Sequence, residues 1–391
     1  MMVAGVEPRT LVEPQSVDEL TDRVRELYAR ETPFAFIGGG TEMELGNLPR
    51  ALDTLVRTTA CTGVIDYAPE DQTITVEAGM TIAAVSDVLA RERQFLAIDA
   101  PDPERATVGG AIATNLSGPR RLRYGGIKDT IVGVEIVRPD GVRARGGGKV
   151  VKNVAGFDIP KLMVGSLGTL GAIVGATFRV FPVAERRAAL MYAVLTVDQM
   201  MSLCAELIGA ALVPAAVTGF ACAKRGRYDV VVTFEGFARG VEEQMTTAAA
   251  IAVRLGVDAE ALPDDALAAQ GKRERALRRG ANWHLTVCAP PTALAHFVAT
   301  TPFADDVRHA VDPLLGTGYF AAAEFDVATV AAWRTALGGG SAVVNALPAQ
   351  ARRGLDSWGE PPKAALAIMR RLKATFDPKG LCNAGRFVGG L

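Results

Sequence analysis

The sequence predicts an α+β fold in two parts, and three observations lead to this prediction. Short segments with helical and with strand periodicity follow one another through the first half of the chain. Three glycine-rich segments interrupt that half. Beyond about residue 183 the chain becomes rich in alanine and has longer helical patterns. We therefore expect one domain over residues 1–183 and another over 184–391.

Capping and turn signals place the elements of the first half. Ser16 and Glu19 have the spacing of a capping box, and apolar residues at helical spacing follow, so a helix is expected over 17–30. Asp140-Gly141 is a dipeptide typical of hairpin turns. The other elements expected here are strands over 34–37, 73–77, 131–137, 142–145 and 172–181, and a helix over 82–92 that Thr81 caps. In the second half we expect helices over 199–211, 241–255, 326–337 and 361–376, and a strand over 229–235.

Composition and charge exclude several classes of protein. Apolar residues make up 49% of the chain, and 42 basic against 43 acidic residues leave a net charge of −1, without the basic excess of a nucleic-acid binder. The five cysteines are scattered with no C-x-x-C pair, which disfavours a disulfide framework and zinc or iron–sulfur sites. No signal peptide or apolar run of transmembrane length is visible. These features predict a reduced, cytoplasmic protein with no direct membrane span.

The first glycine segment consists of Gly38, Gly39, Gly40, Thr41 and Glu42, and it follows a predicted strand. Glycines in this position let the backbone turn sharply and approach a ligand, and successive N–H groups form a nest for an anion such as a pyrophosphate. The alternative is an ordinary turn. The segment lacks the G-x-G-x-x-G pattern of a Rossmann fold and the Gly-Lys-Ser/Thr of a Walker A loop.

The second glycine segment runs over residues 102–118 and has small side chains throughout. Such a segment suits close contact with a flat ligand, and the alternative is a tight turn packed on a sheet. The residues expected to contact a ligand here are Thr107, Gly109, Gly110, Thr114, Asn115, Ser117 and Gly118. A third segment, 147–174, contains Gly165–Gly171 and leads into the strand at 172–181.

Three glycine segments in this order and spacing resemble the FAD-binding domain of the PCMH (p-cresol methylhydroxylase), or vanillyl-alcohol oxidase, superfamily over residues 10–182. The resemblance implies two α+β subdomains followed by an α+β cap domain with an antiparallel sheet. It also implies that 38–42 bind the FAD pyrophosphate and that 107–118 line the diphosphate, ribose and isoalloxazine. Ile173 would contact the adenine end. Lys152 and Asp158 either pair with each other or form a polar edge near the flavin.

A finer resemblance is to the FAD-binding E subunit of glycolate oxidase. It rests on Ser117–Arg121, Val151–Asp158, Leu162–Ser166 and the closing segment Phe376–Arg386, where Asn-Pro-Gly-Arg is usual in the family. Cys382 and Ala384 depart from that pattern. In the middle of the chain, His284 stands where the family usually has Arg, and Leu337–Ser341 stand where an Ala-Gly-Gly-His-like turn is expected. The resemblance implies that about 376–388 return to the flavin domain.

The residues leave the catalytic role open. His284, His296 and His309 do not form a cluster, so no metal site is expected. Arg386 is a weak candidate for a catalytic residue, since it could hold a substrate carboxylate or offset the charge of a reduced flavin. With no histidine before 284 and with Cys61 outside the glycine segments, FAD is expected to be noncovalent.

We therefore expect the FAD-binding subunit of a glycolate oxidase complex, acting on glycolate or a related 2-hydroxy acid. A catalytic FAD subunit and an iron–sulfur subunit would be its partners and would make it peripheral to the inner membrane. One alternative is a stand-alone FAD oxidoreductase for a small 2-hydroxy acid or alcohol. Another is a structural subunit that has lost flavin, against which the intact glycine loops speak.

Overall fold

The computed structural model describes residues 2–148, 157–222, 227–279 and 282–391. The chain divides into two compact units. The first unit comprises Met1–Gly118, Gly125–Val183 and Asp356–Leu391, and the second comprises Pro119–Tyr124 and Ala184–Leu355. The sequence suggested that about 376–388 return to the first unit, whereas the structure assigns the longer segment Asp356–Leu391 to it. The assignment of Pro119–Tyr124 to the second unit was not expected from the sequence.

The described residues form the following elements. The strands are β1 (Thr10–Val12), β2 (Phe34–Ile37), β3 (Thr54–Arg57), β4 (Val64–Ala68), β5 (Thr73–Glu77), β6 (Gln94–Phe95), β7 (Ile131–Val137), β8 (Arg143–Gly147), β9 (Ala172–Arg179), β10 (Phe181–Pro182), β11 (Arg186–Val194), β12 (Ala216–Ala221), β13 (Tyr228–Gly236), β14 (Asp258–Leu262), β15 (Trp283–Cys288), β16 (Arg308–Asp312), β17 (Thr317–Ala322) and β18 (Ser341–Ala346). The helices are α1 (Val17–Ala29), α2 (Ile82–Ala90), α3 (Val108–Thr114), α4 (Arg121–Tyr124), α5 (Ile127–Thr130), α6 (Ile159–Met163), α7 (Val197–Gly209), α8 (Ala238–Leu255), α9 (Asp264–Leu277), α10 (Pro291–Thr300), α11 (Val327–Ala336) and α12 (Lys363–Phe376).

The first unit contains two main sheets. One is parallel, with strand order β1-β3-β2. The other is antiparallel, with order β4-β5-β9-β7-β8, and β9 lies at its centre because it is apolar and buried on both faces. Helices α2 and α3 share an apolar core with this sheet, through buried residues such as Val85, Ile112 and Phe178. A further apolar cluster joins the two sheets through Phe34 of β2, Val137 of β7 and Val174 of β9.

The C-terminal segment joins the parallel sheet of the first unit. The amide of Phe34 in β2 donates to the Leu381 carbonyl at 3.0 Å, and the Asn383 amide donates to the Phe34 carbonyl at 2.7 Å. Leu381 and Cys382 are buried in the same apolar cluster as Leu20 of α1 and Phe34. The last residues of the chain are therefore packed beside the strand that leads into the first glycine segment.

The second unit is built on an antiparallel sheet with strand order β14-β11-β13-β12-β16-β17-β15-β18. One core cluster contains buried residues of α7, α8, α10 and α11, such as Leu203, Phe297 and Trp333, together with strand residues such as Leu285. Another cluster contains Leu267 and Leu277 of α9. Among the described residues, none of the helices has the length and apolarity needed to cross a membrane.

The α+β class and the antiparallel sheet of the second unit are confirmed. Every helix and strand expected from local pattern is present, with ends that differ by up to three residues. The sequence did not predict helices α3, α9 and α10 or several strands of the large sheet. Helix α9 was missed because its apolar residues fall in two short runs, 266–269 and 276–277, with a polar run between them, and its burial depends on contacts with β16 and β17.

Candidate cofactor site

The three glycine segments and the C-terminal segment line one crevice in the first unit. Of the residues predicted from sequence, Gly38, Gly39, Gly40, Thr41, Glu42, Thr107, Gly109, Gly110, Thr114, Ile173 and Arg386 line it. Asn115, Ser117 and Gly118 do not. Ser117 and Gly118 end the first unit's opening stretch, directly before Pro119–Tyr124 of the second unit. The crevice has a volume of about 90 Å³.

The first glycine loop is held against the backbone of residues 105–107. A Cβ on Gly39 would lie 1.6 Å from the Arg105 carbonyl oxygen, and one on Gly38 would lie 2.1 Å from the Thr107 Oγ1 atom. Gly40 has a φ of +71°, which disfavours other residues. Gly38 and Gly39 are therefore required because the two glycine segments lie against each other. From the sequence, these glycines were expected to allow a sharp turn and the approach of a ligand.

The second glycine segment forms a short helix, α3, rather than an extended lining. Thr107 is its N-cap and accepts a hydrogen bond from the Gly110 amide at 3.2 Å, while the Thr114 hydroxyl donates to the Gly110 carbonyl at 2.8 Å. Asn115 ends the helix in the left-handed conformation, at φ 54°. The hydroxyls of both threonines thus bind within the helix, and Gly109 lets the helix pack closely on the sheet, since a Cβ there would lie 3.1 Å from the Ala78 Cβ atom.

The third segment contributes Leu167, Gly168 and the start of β9 to the crevice, including Ile173. Lys152 and most of the family segment Val151–Asp158 lie outside the described residues. Asp158 is described: it caps α6 by accepting from the Lys161 amide at 3.2 Å and pairs with the Lys161 ammonium at 2.8 Å. These contacts account for Asp158 without a ligand.

Arg386 reaches the crevice from the C-terminal segment and is 3% exposed. Its Nη2 atom donates to the carbonyls of Met43 and Leu45, and its own carbonyl accepts from the Trp358 indole at 2.9 Å. A buried arginine that donates to two carbonyls of one loop fixes the shape of that loop. Its contacts in the structure are therefore those of a residue that holds the loop after Gly40 in place.

Three residues beside the crevice, namely Lys373, Asp377 and Asn383, were assigned no role from the sequence, although Asn383 belongs to the closing segment that resembles the family. The Asn383 side chain is 3% exposed, its Nδ2 atom donates to the Leu167 carbonyl, and its Oδ1 atom has no hydrogen-bond donor among the described residues. Lys373 and Asp377 form a buried ion pair with an N–O distance of 2.7 Å. The i,i+4 spacing of this pair is typical of an ion pair on a solvated helix face, so the sequence did not indicate that the pair is buried.

These features fit FAD. Glycine loops leave backbone open along the crevice, as a pyrophosphate requires. The Asn383 Oδ1 atom supplies a hydrogen-bond acceptor for which the described residues provide no donor. No cysteine or histidine is among the described residues that line the crevice. Cys382 lies behind it, where its thiol donates to the Gly168 carbonyl at 3.1 Å and burial raises its pKa to about 12. Such a thiol is unreactive.

The histidines lie in the second unit. Burial lowers the pKa of His284 to about 4, with a smaller contribution from the charge of Arg278, and burial also lowers the pKa of His309 to about 4. The His309 Nε2 atom is 2.8 Å from the Tyr228 hydroxyl, and its ring stacks on Phe320. Across the described residues, no group of three or more metal-binding side chains is assembled.

Two family models match this sequence. The model of the FAD binding domain matches residues 8–146, and the model of the C-terminal domain of FAD linked oxidases matches residues 360–387. The first match includes both glycine segments at 38–42 and 107–118. The second includes Asn383 and Arg386. The segments matched as FAD-binding and those that meet at the crevice are thus largely the same.

Individual proteins match over different lengths. D-lactate dehydrogenase of Archaeoglobus fulgidus is 27% identical over 413 positions, covering 97% of this chain and 91% of that protein. Glycolate oxidase subunit GlcE of Escherichia coli is 34% identical over 164 positions, covering 42% of this chain and 46% of that subunit. Glycolate oxidase subunit GlcD of Bacillus subtilis is 28% identical over 208 positions, covering 53% and 44%. The matched regions therefore span less than half of each glycolate oxidase subunit.

A solved structure of alkyldihydroxyacetonephosphate synthase superposes with a TM-score of 0.70, covering 96% of this chain and 77% of that chain at 17% identity. At this identity the superposition establishes the fold alone.

Proposed function

We propose that this chain is an FAD-dependent oxidoreductase of the PCMH type, and that it is the FAD-carrying subunit of a complex that oxidises glycolate or a related 2-hydroxy acid to the 2-oxo acid. The observation that carries the proposal is the match to the GlcE subunit, at 34% identity over a stretch equal to 42% of the chain. The segment Ser117–Arg121 and the closing Asn383, Gly385 and Arg386 support it, as does the match to a GlcD subunit.

The residues of the crevice have separate tasks in this proposal. Oxidation of a 2-hydroxy acid removes two electrons and two protons, and bound FAD supplies the two-electron acceptor. The loop Gly38–Glu42 binds the pyrophosphate through backbone N–H groups. Arg386 holds the next part of that loop, and the small residues of α3 leave room for the flat ring system. Thr114 and Ile173 complete the walls.

A second candidate is a stand-alone FAD-dependent dehydrogenase for a small 2-hydroxy acid. It is favoured by the similarity to the archaeal D-lactate dehydrogenase, which extends over 97% of this chain and 91% of that protein. In that case the second unit would bind the substrate itself, and no catalytic partner chain would be needed.

Turnover by the purified chain separates these candidates. We expect the isolated protein to be yellow and to show negligible oxidation of glycolate or D-lactate with an artificial dye as acceptor. Activity should appear on co-expression with a catalytic flavoprotein subunit and an iron–sulfur subunit, and should be absent when the co-expressed chain carries Gly39→Val. Turnover by the chain alone at about 10 per second, the median for enzymes, would establish the second candidate. A colourless protein that cannot bind added FAD would show that the chain has lost its flavin.

A further inference from the structure

We propose that Asn383 is a direct contact of the cofactor. Its Oδ1 atom accepts a hydrogen bond from a hydroxyl or an N–H group of FAD, and the buried pair of Lys373 and Asp377 positions it. This inference rests on the proposed binding of FAD in the crevice. It adds a contact in the C-terminal segment to the glycine loops of the first half of the chain.

The orientation of the Asn383 amide follows from its surroundings. One end of the side chain faces the Leu167 carbonyl oxygen. A carbonyl accepts but does not donate, so the NH₂ group must be at that end and the Oδ1 atom must point away from it. The Oδ1 atom is buried and has no donor within the described parts of the chain. A buried acceptor without a donor costs about 1–3 kcal/mol, and a bound donor would remove that cost.

The position of Asn383 is set by the ion pair behind it. The Lys373 ammonium donates to the Asp377 carboxylate at 2.7 Å, to the Thr169 carbonyl at 2.8 Å and to the Cys382 carbonyl at 2.7 Å. Since an ammonium has three donors, these contacts use all of them. Lys373 therefore ties the residue before Asn383 to the loop that Asn383 contacts through Leu167.

Asp377 fixes the other side of the same turn. Its side chain is fully buried, and its two oxygens accept from the backbone amides of Leu381 at 3.2 Å and Cys382 at 2.9 Å, in addition to Lys373. A carboxylate with three donors determines the path of the chain into Asn383. The pair thus joins helix α12, the 165–171 loop and the C-terminal segment, and it positions Asn383, which lines the crevice.

The chemistry of the acceptor selects the part of FAD that it contacts. An amide oxygen repels a phosphate oxygen, so Asn383 does not bind the pyrophosphate. The remaining donors of FAD are the N3–H group of the flavin ring, the ribityl and ribose hydroxyls and the adenine amino group. Asn383 lines the crevice together with apolar residues such as Phe36, Leu116 and Leu167. This apolar and compact setting suits the edge of the flavin ring, and we assign the N3–H group as the donor.

The variant that tests this contact must keep the backbone unstrained. Asn383 has a φ of +48°, a conformation that asparagine and glycine tolerate and alanine does not. Asn383→Gly therefore removes the amide while it keeps the turn. We expect a roughly 5–100-fold weaker affinity for FAD, the range that corresponds to the loss of one buried hydrogen bond. The apoprotein should be less stable than the wild type, because the variant also loses the Nδ2 hydrogen bond to the Leu167 carbonyl, so affinities are compared under conditions in which both apoproteins are folded.

A flavin analogue identifies the donor. The wild-type apoprotein should bind N3-methyl-FAD more weakly than FAD, and Asn383→Gly should lose this preference because no acceptor is left. A preference of equal size in both proteins would contradict the assignment to N3–H. Equal FAD affinity of the wild type and Asn383→Gly would overturn the whole inference. Failure of the wild type itself to bind FAD would instead overturn the proposed function.

The positioning role is tested by a double-mutant cycle. Lys373→Met should weaken FAD binding in the wild type but should have little further effect in Asn383→Gly, because the residue that it positions is already absent. Lys379→Met is the matched control, since that lysine forms an exposed pair with Glu31 in the same segment. Additive effects of Lys373→Met and Asn383→Gly on FAD affinity would show that Lys373 stabilises the fold without positioning Asn383.

Discussion

At the scale of single residues, Gly39 is the most constrained position of the crevice. Any side chain there would begin 1.6 Å from the Arg105 carbonyl oxygen, and backbone atoms cannot yield as a flexible side chain can. We expect Gly39→Val to lose FAD and to lower the stability of the first unit by about 1–3 kcal/mol, as overpacking usually does.

Flavin content per folded chain, with circular dichroism as a check of folding, measures the effect of Gly39→Val. Gly240→Ala is a matched control, since a Cβ at that helical position meets nothing within 4 Å. Cys61→Ser should also retain flavin, because Cys61 is not among the residues of the crevice. Full flavin occupancy in Gly39→Val would mean that the loop is placed wrongly.

The cysteines bear on how the flavin is attached. Cys382 is the cysteine that the fold brings behind the crevice, yet its thiol points to the Gly168 carbonyl and its pKa is raised to about 12. A neutral, buried thiol does not attack a flavin. We therefore expect denaturation to release all of the yellow colour into the supernatant, and flavin fluorescence that stays with the band on a denaturing gel would contradict this.

At the scale of elements, the C-terminal segment completes the first unit. Leu381 and Asn383 hydrogen-bond to Phe34 of β2, and Lys373 of α12 binds the Thr169 carbonyl. A chain that ends at residue 355 loses all of these contacts and exposes apolar surface of β2. We expect this truncated chain to lack FAD and to aggregate, as judged by absorbance at visible wavelengths and by size-exclusion chromatography. A monodisperse yellow protein would contradict the prediction.

At the scale of the whole molecule, the buried histidines make stability depend on pH. The pKa values of His284 and His309 are about 4 in the folded protein and about 6.5 in the unfolded chain. Between these values the unfolded state binds more protons, so stability falls as the pH drops from about 6.5 to about 4. Each histidine can contribute on the order of 3 kcal/mol to this loss.

Chemical denaturation at pH 7 and pH 5 measures this effect. The loss of stability between the two pH values should be smaller in the double variant His284→Asn/His309→Asn than in the wild type. It should be unchanged in His296→Asn, whose side chain is exposed. An equal loss in all three proteins would assign the acid sensitivity to other groups.

The sequence by itself determined the features that neighbouring residues encode. Capping by Ser16 and Thr81 and the strand at 34–37 depend on contacts within a few residues, and they were predicted correctly. The α+β class followed from the alternation of helical and strand periodicity, and the use of FAD was implied by the resemblance of the glycine segments to a family of FAD-binding domains.

The tertiary structure decided which side chains meet across long stretches of chain. Asn383 contacts Leu167 from 216 residues away, Lys373 contacts Thr169 from 204 residues away, and Arg386 holds a loop more than 340 residues earlier. The burial of a charge such as Lys373 depends on such distant partners, and no local pattern records them. For the same reason the sequence indicated where FAD binds but not the residues that hold the crevice in shape.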